Sequence, residues 1–137
     1  MRTRLLGVVL VLSMSLSATA DEKEFKRLQG DWQVVSVTLN GETIKQGKLK
    51  GKVWRFDGNK VFALDTKDES TLTLDPTTKP PTADIKDKEG KVVLGNYKFV
   101  GDDKLTICGR ADGIRPKEFD ASKNTGAILF ELERVKK

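Results

Sequence analysis

A chain of 137 residues with 25 Lys+Arg, 20 Asp+Glu, one Cys and no His has room for one ordinary domain and not two. The missing histidine excludes Ser-His and Cys-His dyads, His-ligated haem and His-based zinc sites. The lone Cys108 excludes an intrachain disulfide and a Cys-rich metal centre.

Arg2 and Arg4 precede an apolar run over 5–12 that Gly7 alone interrupts, and Ala18-Thr19-Ala20 closes the segment with small residues. This is the pattern of a secretory signal peptide over 1–20, cleaved after Ala20. The run is too short for a membrane span, which needs about 20 apolar residues. No cysteine follows it to accept a lipid. Its removal takes two arginines and no acid, so 23 basic residues face 20 acidic ones and the charge falls from +5 to +3. The remaining charges alternate, as in Asp84-Ile85-Lys86-Asp87-Lys88-Glu89, and form no basic face of the kind that binds nucleic acid.

Phe25 and Leu28, spaced i, i+3 among Lys and Glu, predict a helical lead-in over 21–29, which Gly30 ends. Short β-type runs follow, divided by turn residues: 32–39, 53–56, 61–65, 71–74, 82–86, 92–100, 105–108 and 127–134. Residues 42–51 read as a loop or a short helical turn. Pro76, Pro80 and Pro81 prevent 76–81 from pairing as a central strand. Period-2 reading turns one face of each run inward: Trp54 with Phe56, Phe62 with Leu64, Leu72 with Leu74, Ala83 with Ile85, Tyr97 with Phe99, Leu105 with Ile107, and Ile128 with Phe130 and Leu132. One apolar face per strand with polar partners outward predicts an all-β fold, an eight-stranded antiparallel up-and-down β-barrel over 30–137.

Gly30-Asp31-Trp32 opens the first strand and Arg134 ends the last, and these strands are neighbours in a closed barrel. The Trp32 indole can then stack on the Arg134 guanidinium and seal one end. This Gly-x-Trp plus C-terminal Arg pattern resembles the signature of the lipocalin-like, or calycin, superfamily. Five further segments lie in the order of a planctomycete domain family of unknown function, which the chain resembles. They are Leu28-Gln29-Gly30-Asp31-Trp32-Gln33-Val34-Val35-Ser36, Leu74-Asp75-Pro76-Thr77-Thr78-Lys79-Pro80, Gly95-Asn96-Tyr97, Leu105-Thr106-Ile107-Cys108 and Arg115-Pro116-Lys117-Glu118-Phe119. The resemblance implies an exported lipocalin-like domain, periplasmic or secreted, and brings no catalytic residue with it. Some calycins hold haem through a histidine, which this chain lacks.

Gly30, Trp32 and Arg134 therefore read as structural. Trp54, Phe56, Tyr97 and Phe99 either line a ligand cavity or fill the core. Arg115, Pro116, Glu118 and Phe119 read as a loop latch, with Phe119 able to plug the barrel. Cys108, inside an apolar run, reads as a packed and inert thiol. The carboxylates of Asp65, Asp75, Asp84 and Glu118 show no paired arrangement, so the expectation is a non-enzyme, monomeric, without metal or cofactor. Two functions stay open. One is a binder of a small apolar or amphipathic molecule, its polar end held by Tyr97 or an arginine. The other is a packed barrel serving the cell envelope as a structural or interaction module through loops 76–81 and 110–125.

Overall fold

The computed structural model describes residues 22–136, and the expected signal peptide lies outside them. A helix over 22–28 leads into nine strands: β1 Gly30–Leu39, β2 Glu42–Lys45, β3 Val53–Asp57, β4 Lys60–Ala63, β5 Asp68–Asp75, β6 Thr82–Asp87, β7 Val92–Val100, β8 Lys104–Arg110 and β9 Ile128–Arg134. Every pairing is antiparallel, and β1 pairs with β9, which closes the sheet. The closed ring runs β1, β3, β4, β5, β6, β7, β8, β9 and is the eight-stranded barrel that the sequence predicts. It is also closed at its shortest strands, since β4 pairs with β5 through four residues.

The ninth strand, β2, lies in the stretch read as loop or helical turn. It follows the Asn40-Gly41 turn, whose positive φ values of 54° and 80° suit a tight hairpin. It pairs with Ser36–Leu39, while β3 pairs with Gly30–Gln33 on the same edge of β1. All four residues of β2 are exposed, so no buried alternation marks it in sequence. A short 3-10 turn at Gln46–Lys48 follows, and the helical part of the expectation is met there.

Two details of facing differ from the period-2 reading. Val61 is buried in the core, and Phe62 and Leu64 are not part of it. The turn between Asp57 and Lys60 has only two residues, so Phe56 pairs with Val61 and Phe62 falls opposite outward-facing Arg55. Phe62 and Leu64 instead line an outer cleft of about 420 Å³ with Arg55, Asp57 and Lys67. On β1 a register shift between Val34 and Ser36 inserts a bulge, which turns Val37 inward opposite Phe130.

The core is graded along the barrel axis. At the end where β1 starts and β9 finishes, Leu28, Trp32, Phe56, Tyr97, Leu105 and Leu132 are at most 2% exposed. At the other end the inward residues Val37, Trp54, Ala63, Ile85, Val93 and Phe130 are only partly buried, and at the helix end Leu74 and Phe99 are partly buried as well.

Candidate functional site

The sealed end is built by the lead-in helix. Leu28 is buried beneath Trp32, and the indole Nε1 donates to the Leu28 carbonyl at 2.8 Å. The Arg134 guanidinium lies 4.3 Å from the Trp32 ring centre. It also donates to the carbonyls of Gln29 at 2.9 Å and Arg27 at 2.5 Å. These carbonyls belong to the last residues of the helix and the one after it, where no intrahelical donor reaches them. Gly30, at φ 108°, lets the chain turn from helix into β1, and a Cβ there would stand 3.7 Å from Arg134 Nη1. Gly30, Trp32 and Arg134 thus meet at one place and tie the plug to both closing strands.

Tyr97 points into the same end. Its hydroxyl donates to Glu24 Oε1 of the helix at 2.7 Å. Burial, then the Glu24 carboxylate, push its pKa well above the ordinary phenol value. Phe99 packs edge-on to Tyr97, with ring centres 5.8 Å apart, and carries the Arg27 guanidinium 4.0 Å above its ring. Tyr97, Arg27 and Arg134 are therefore engaged in the plug. The Tyr97 hydroxyl, expected from the sequence as one anchor for the polar end of a ligand, has its partner in Glu24 at the sealed end. Phe56 is a core residue nearby.

The opposite end holds a second aromatic pair. Trp54 on β3 and Phe130 on β9 touch there, ring centres 4.8 Å apart. Val37 flanks them, and Ile85 and Val93 pair across β6 and β7 on the facing wall. These inner-wall side chains are apolar and partly buried, and Val37, Trp54, Ile85 and Phe130 pack against the core cluster. Small residues stand in this wall: Ala63 pairs with Trp54, Ser70 with Val61, and Gly95 with Gly109. These two glycines are sterically required. A Cβ on Gly95 would lie 2.8 Å from the Ala83 carbonyl oxygen, and one on Gly109 would lie 2.6 Å from Val93 Cγ1.

β2 and the 3-10 turn form a strap beside this end. Ile44 pairs with Val37 and so continues the inner face. The base of the strap is pinned by buried Leu49 and by Gln33, whose Nε2 donates to the Leu49 carbonyl at 2.9 Å. Its tip is held by the Gly41 N–H on the Ala121 carbonyl and by Asn40 Oδ1, which accepts from Asn124 N–H.

The 110–127 segment lies on the outer wall over β7 and β8. Arg115 forms a bidentate pair with Asp84, at 2.7 and 3.0 Å, and donates to the Gly95 carbonyl at 2.8 Å. Buried Asn96 donates to the Pro116 carbonyl. Phe119 packs against a second apolar cluster of Cys108, Ala121 and Ala127, with Lys98 Nζ 4.7 Å from its ring centre. Phe119 accordingly covers the outside of the barrel and does not plug it, because Cys108 and Leu129, opposite each other in register, face outward. Glu118 is exposed beside a cleft of about 420 Å³ under this segment, outside any ion pair among the described residues. Cys108 is fully buried, and burial raises its thiol pKa.

The carboxylates are engaged separately. Asp65 accepts from Lys52, which holds its pKa below the usual carboxylate range, and Asp75 accepts from Thr77 with the same effect. No group of three or more His, Cys, Asp or Glu among the described residues could hold a metal ion. No helix among them is long and apolar enough to cross a membrane. Leu49, Glu24, Asn96 and the strap were not visible as functional parts in sequence. Each acts through contacts far along the chain.

No family model, curated protein or solved structure matches the chain. The barrel, its plug helix and the Trp32–Arg134 contact are consistent with a calycin or lipocalin-like superfamily, and the finer planctomycete resemblance gains no support from these comparisons.

Proposed function

We propose that the protein is an exported, non-catalytic, monomeric carrier, periplasmic or secreted, whose open barrel end receives one small apolar or amphipathic molecule. The observation that carries this reading is the grading of the interior. Six large side chains and a helix fill one end, while Trp54, Phe130, Val37 and Ile85 stay partly exposed at the other. An apolar surface concave to solvent gains free energy when a ligand displaces its water, at about 25 cal/mol per Å² of apolar area covered.

A second reading is an envelope interaction module. Ile114, 56% exposed on the outer segment, favours it. Most of that segment is nevertheless spent on its own barrel wall through Arg115, Pro116 and Phe119. Native mass spectrometry of the protein purified from its own host separates the two. A bound small molecule that is lost on unfolding supports the carrier. Clean apoprotein that takes up no apolar fluorescent probe contradicts it and leaves the module.

A further inference from the structure

We propose that Asn40 is a site of non-enzymatic deamidation whose rate is set by the outer segment, which clasps the Asn40-Gly41 turn through residues 121–124.

The chemistry starts from the dipeptide. Asn40-Gly41 is the single Asn-Gly pair of the chain. Glycine carries no side chain to shield its backbone nitrogen, and its backbone turns freely. The Gly41 nitrogen attacks Asn40 Cγ. A bond forms between them, the bond from Cγ to Nδ2 breaks, and the proton lost from Gly41 leaves with the ammonia. The cyclic succinimide so formed is opened by water. Attack at Cγ gives aspartate, and attack at the main-chain carbonyl gives isoaspartate. Water is the one co-reactant, and both residues are exposed to it.

Both reacting groups are nevertheless held. The Gly41 N–H donates to the Ala121 carbonyl at 2.9 Å, which keeps the proton on the nucleophile. Asn40 Oδ1 accepts from the Asn124 N–H at 3.0 Å, so the carboxamide is not free to swing back onto Gly41. A Cβ on Gly41 would stand 3.3 Å from the Lys123 nitrogen, so 121–124 lies directly on the turn. Nucleophile and electrophile are thus restrained by one short stretch of chain.

That stretch belongs to 111–127, which contains no strand or helix. It is fastened by Arg115 on Asp84, by Asn96 on the Pro116 carbonyl, and by buried Ala121 against Cys108 and Ala127. A segment with so few buried contacts opens locally at lower cost than the strands beneath it. Opening withdraws the Ala121 carbonyl and the Asn124 N–H together and frees both reacting groups in one event. It also uncovers the Cys108 thiol, which reports the same motion. The two products differ in what they do next. Aspartate leaves the main chain unaltered. Isoaspartate adds a methylene to a turn that joins Leu39 to Glu42 through two residues, and left-handed φ values of 54° and 80° no longer close it. The strap then loses its hinge to β1, and its release is one-way.

The test incubates the purified protein in mildly alkaline buffer and follows amide loss by mass spectrometry, with peptide mapping to locate it and to separate aspartate from isoaspartate. Three samples are compared: native protein, the chain unfolded in urea, and Arg115→Gln, whose fold is checked by far-UV circular dichroism. Asn40 is expected to be the first asparagine lost in the unfolded chain and to react at least about tenfold more slowly in the native protein. Arg115→Gln is expected to speed both the loss at Asn40 and the labelling of Cys108. Wild-type protein in urea below its unfolding midpoint gives the same comparison without a substitution, and the two rates are expected to rise together. Another asparagine reacting first in the unfolded chain overturns Asn40 as the site. Native protein reacting as fast as unfolded chain overturns the clasp. Cys108 labelling that rises while loss at Asn40 does not overturns the outer segment as its gate.

Discussion

Truncating the two tryptophans separately measures the two ends of the barrel. Trp32 is completely buried, donates to Leu28 O, and carries Arg134 on its face. Burial of about 200 Å² at about 25 cal/mol per Å² gives about 5 kcal/mol for the transfer of the whole side chain. Trp32→Ala leaves the methyl-sized stub, loses a cation–π contact of about 0.5–2 kcal/mol, and opens a cavity that the plug refills only in part. The net expectation is a loss of about 3–5 kcal/mol. Trp54 packs on Phe130 but is only partly buried, so its removal gives up less buried apolar area. Trp54→Ala is expected to cost about 1–2 kcal/mol. Urea unfolding followed by far-UV circular dichroism reads both. With a slope of about 2 kcal/mol per M, the Trp32 midpoint falls by about 2 M and the Trp54 midpoint by under about 1 M. Total stability of about 5–15 kcal/mol leaves little margin. Trp32→Phe, which keeps a ring and loses only the indole donor and some volume, therefore serves as a milder companion at about 1–2 kcal/mol. A Trp32→Ala loss below about 1 kcal/mol, or a Trp54→Ala loss equal to it, refutes the graded interior.

Tyr97 is the single tyrosine of the chain, so its ultraviolet titration has one source. Its pKa is raised in the folded state, by burial first and then by Glu24, so the contribution it makes to stability is complete below about pH 10 and is lost as pH rises further. The native protein is expected to show no tyrosinate at about pH 11 where the urea-unfolded chain titrates fully, and a native titration near pH 10 contradicts its burial against the plug. Cys108 is expected to react with a disulfide reagent only when the outer segment opens, so its labelling rate in native protein follows unfolding; prompt stoichiometric labelling at about pH 8 contradicts the burial seen under Ala121 and Ala127. Gly109→Ala places a Cβ 2.6 Å from Val93 Cγ1 and is expected to cost about 1–3 kcal/mol, with Val93→Ala in the same chain recovering much of the loss in a double-mutant cycle. Additive losses show that the two side chains do not compete for that space.

The barrel was legible because its strands obey a simple local rule. Leu72, Leu74, Ile85, Tyr97, Phe99, Leu105 and Ile107 alternate with polar residues, and turns of Gly, Asn and Asp divide them. The Trp32–Arg134 contact was legible for a topological reason, since a closed sheet must bring its first and last strands together. Period-2 alternation puts Phe62 inside, where the folded hairpin puts Val61. The two-residue turn at Gly58-Asn59 already sets Phe56 against Val61. Val37 was missed because a bulge leaves no mark in the alternation of Val34, Val35, Ser36 and Val37. The strap was missed for another reason: β2 is exposed on every residue and is held by Gln33, Leu49, Ala121 and Asn124, partners that only the folded chain assembles. The latch residues Arg115 and Pro116 stood out as a motif, but their place on the outer wall depends on Asp84 and Asn96, whose outward direction follows from register.

Blocking the mouth from within tests the central claim most directly. Ala63 pairs with Trp54 on the inner wall, so Ala63→Trp fills the space beside the Trp54 indole without touching the plug. The wild-type protein is expected to take up one apolar fluorescent probe per chain, and Ala63→Trp to lose that uptake while keeping its urea midpoint within about 0.5 M. Uptake that survives the substitution unchanged, or a wild-type protein that takes up no probe, contradicts a barrel open to ligand at this end.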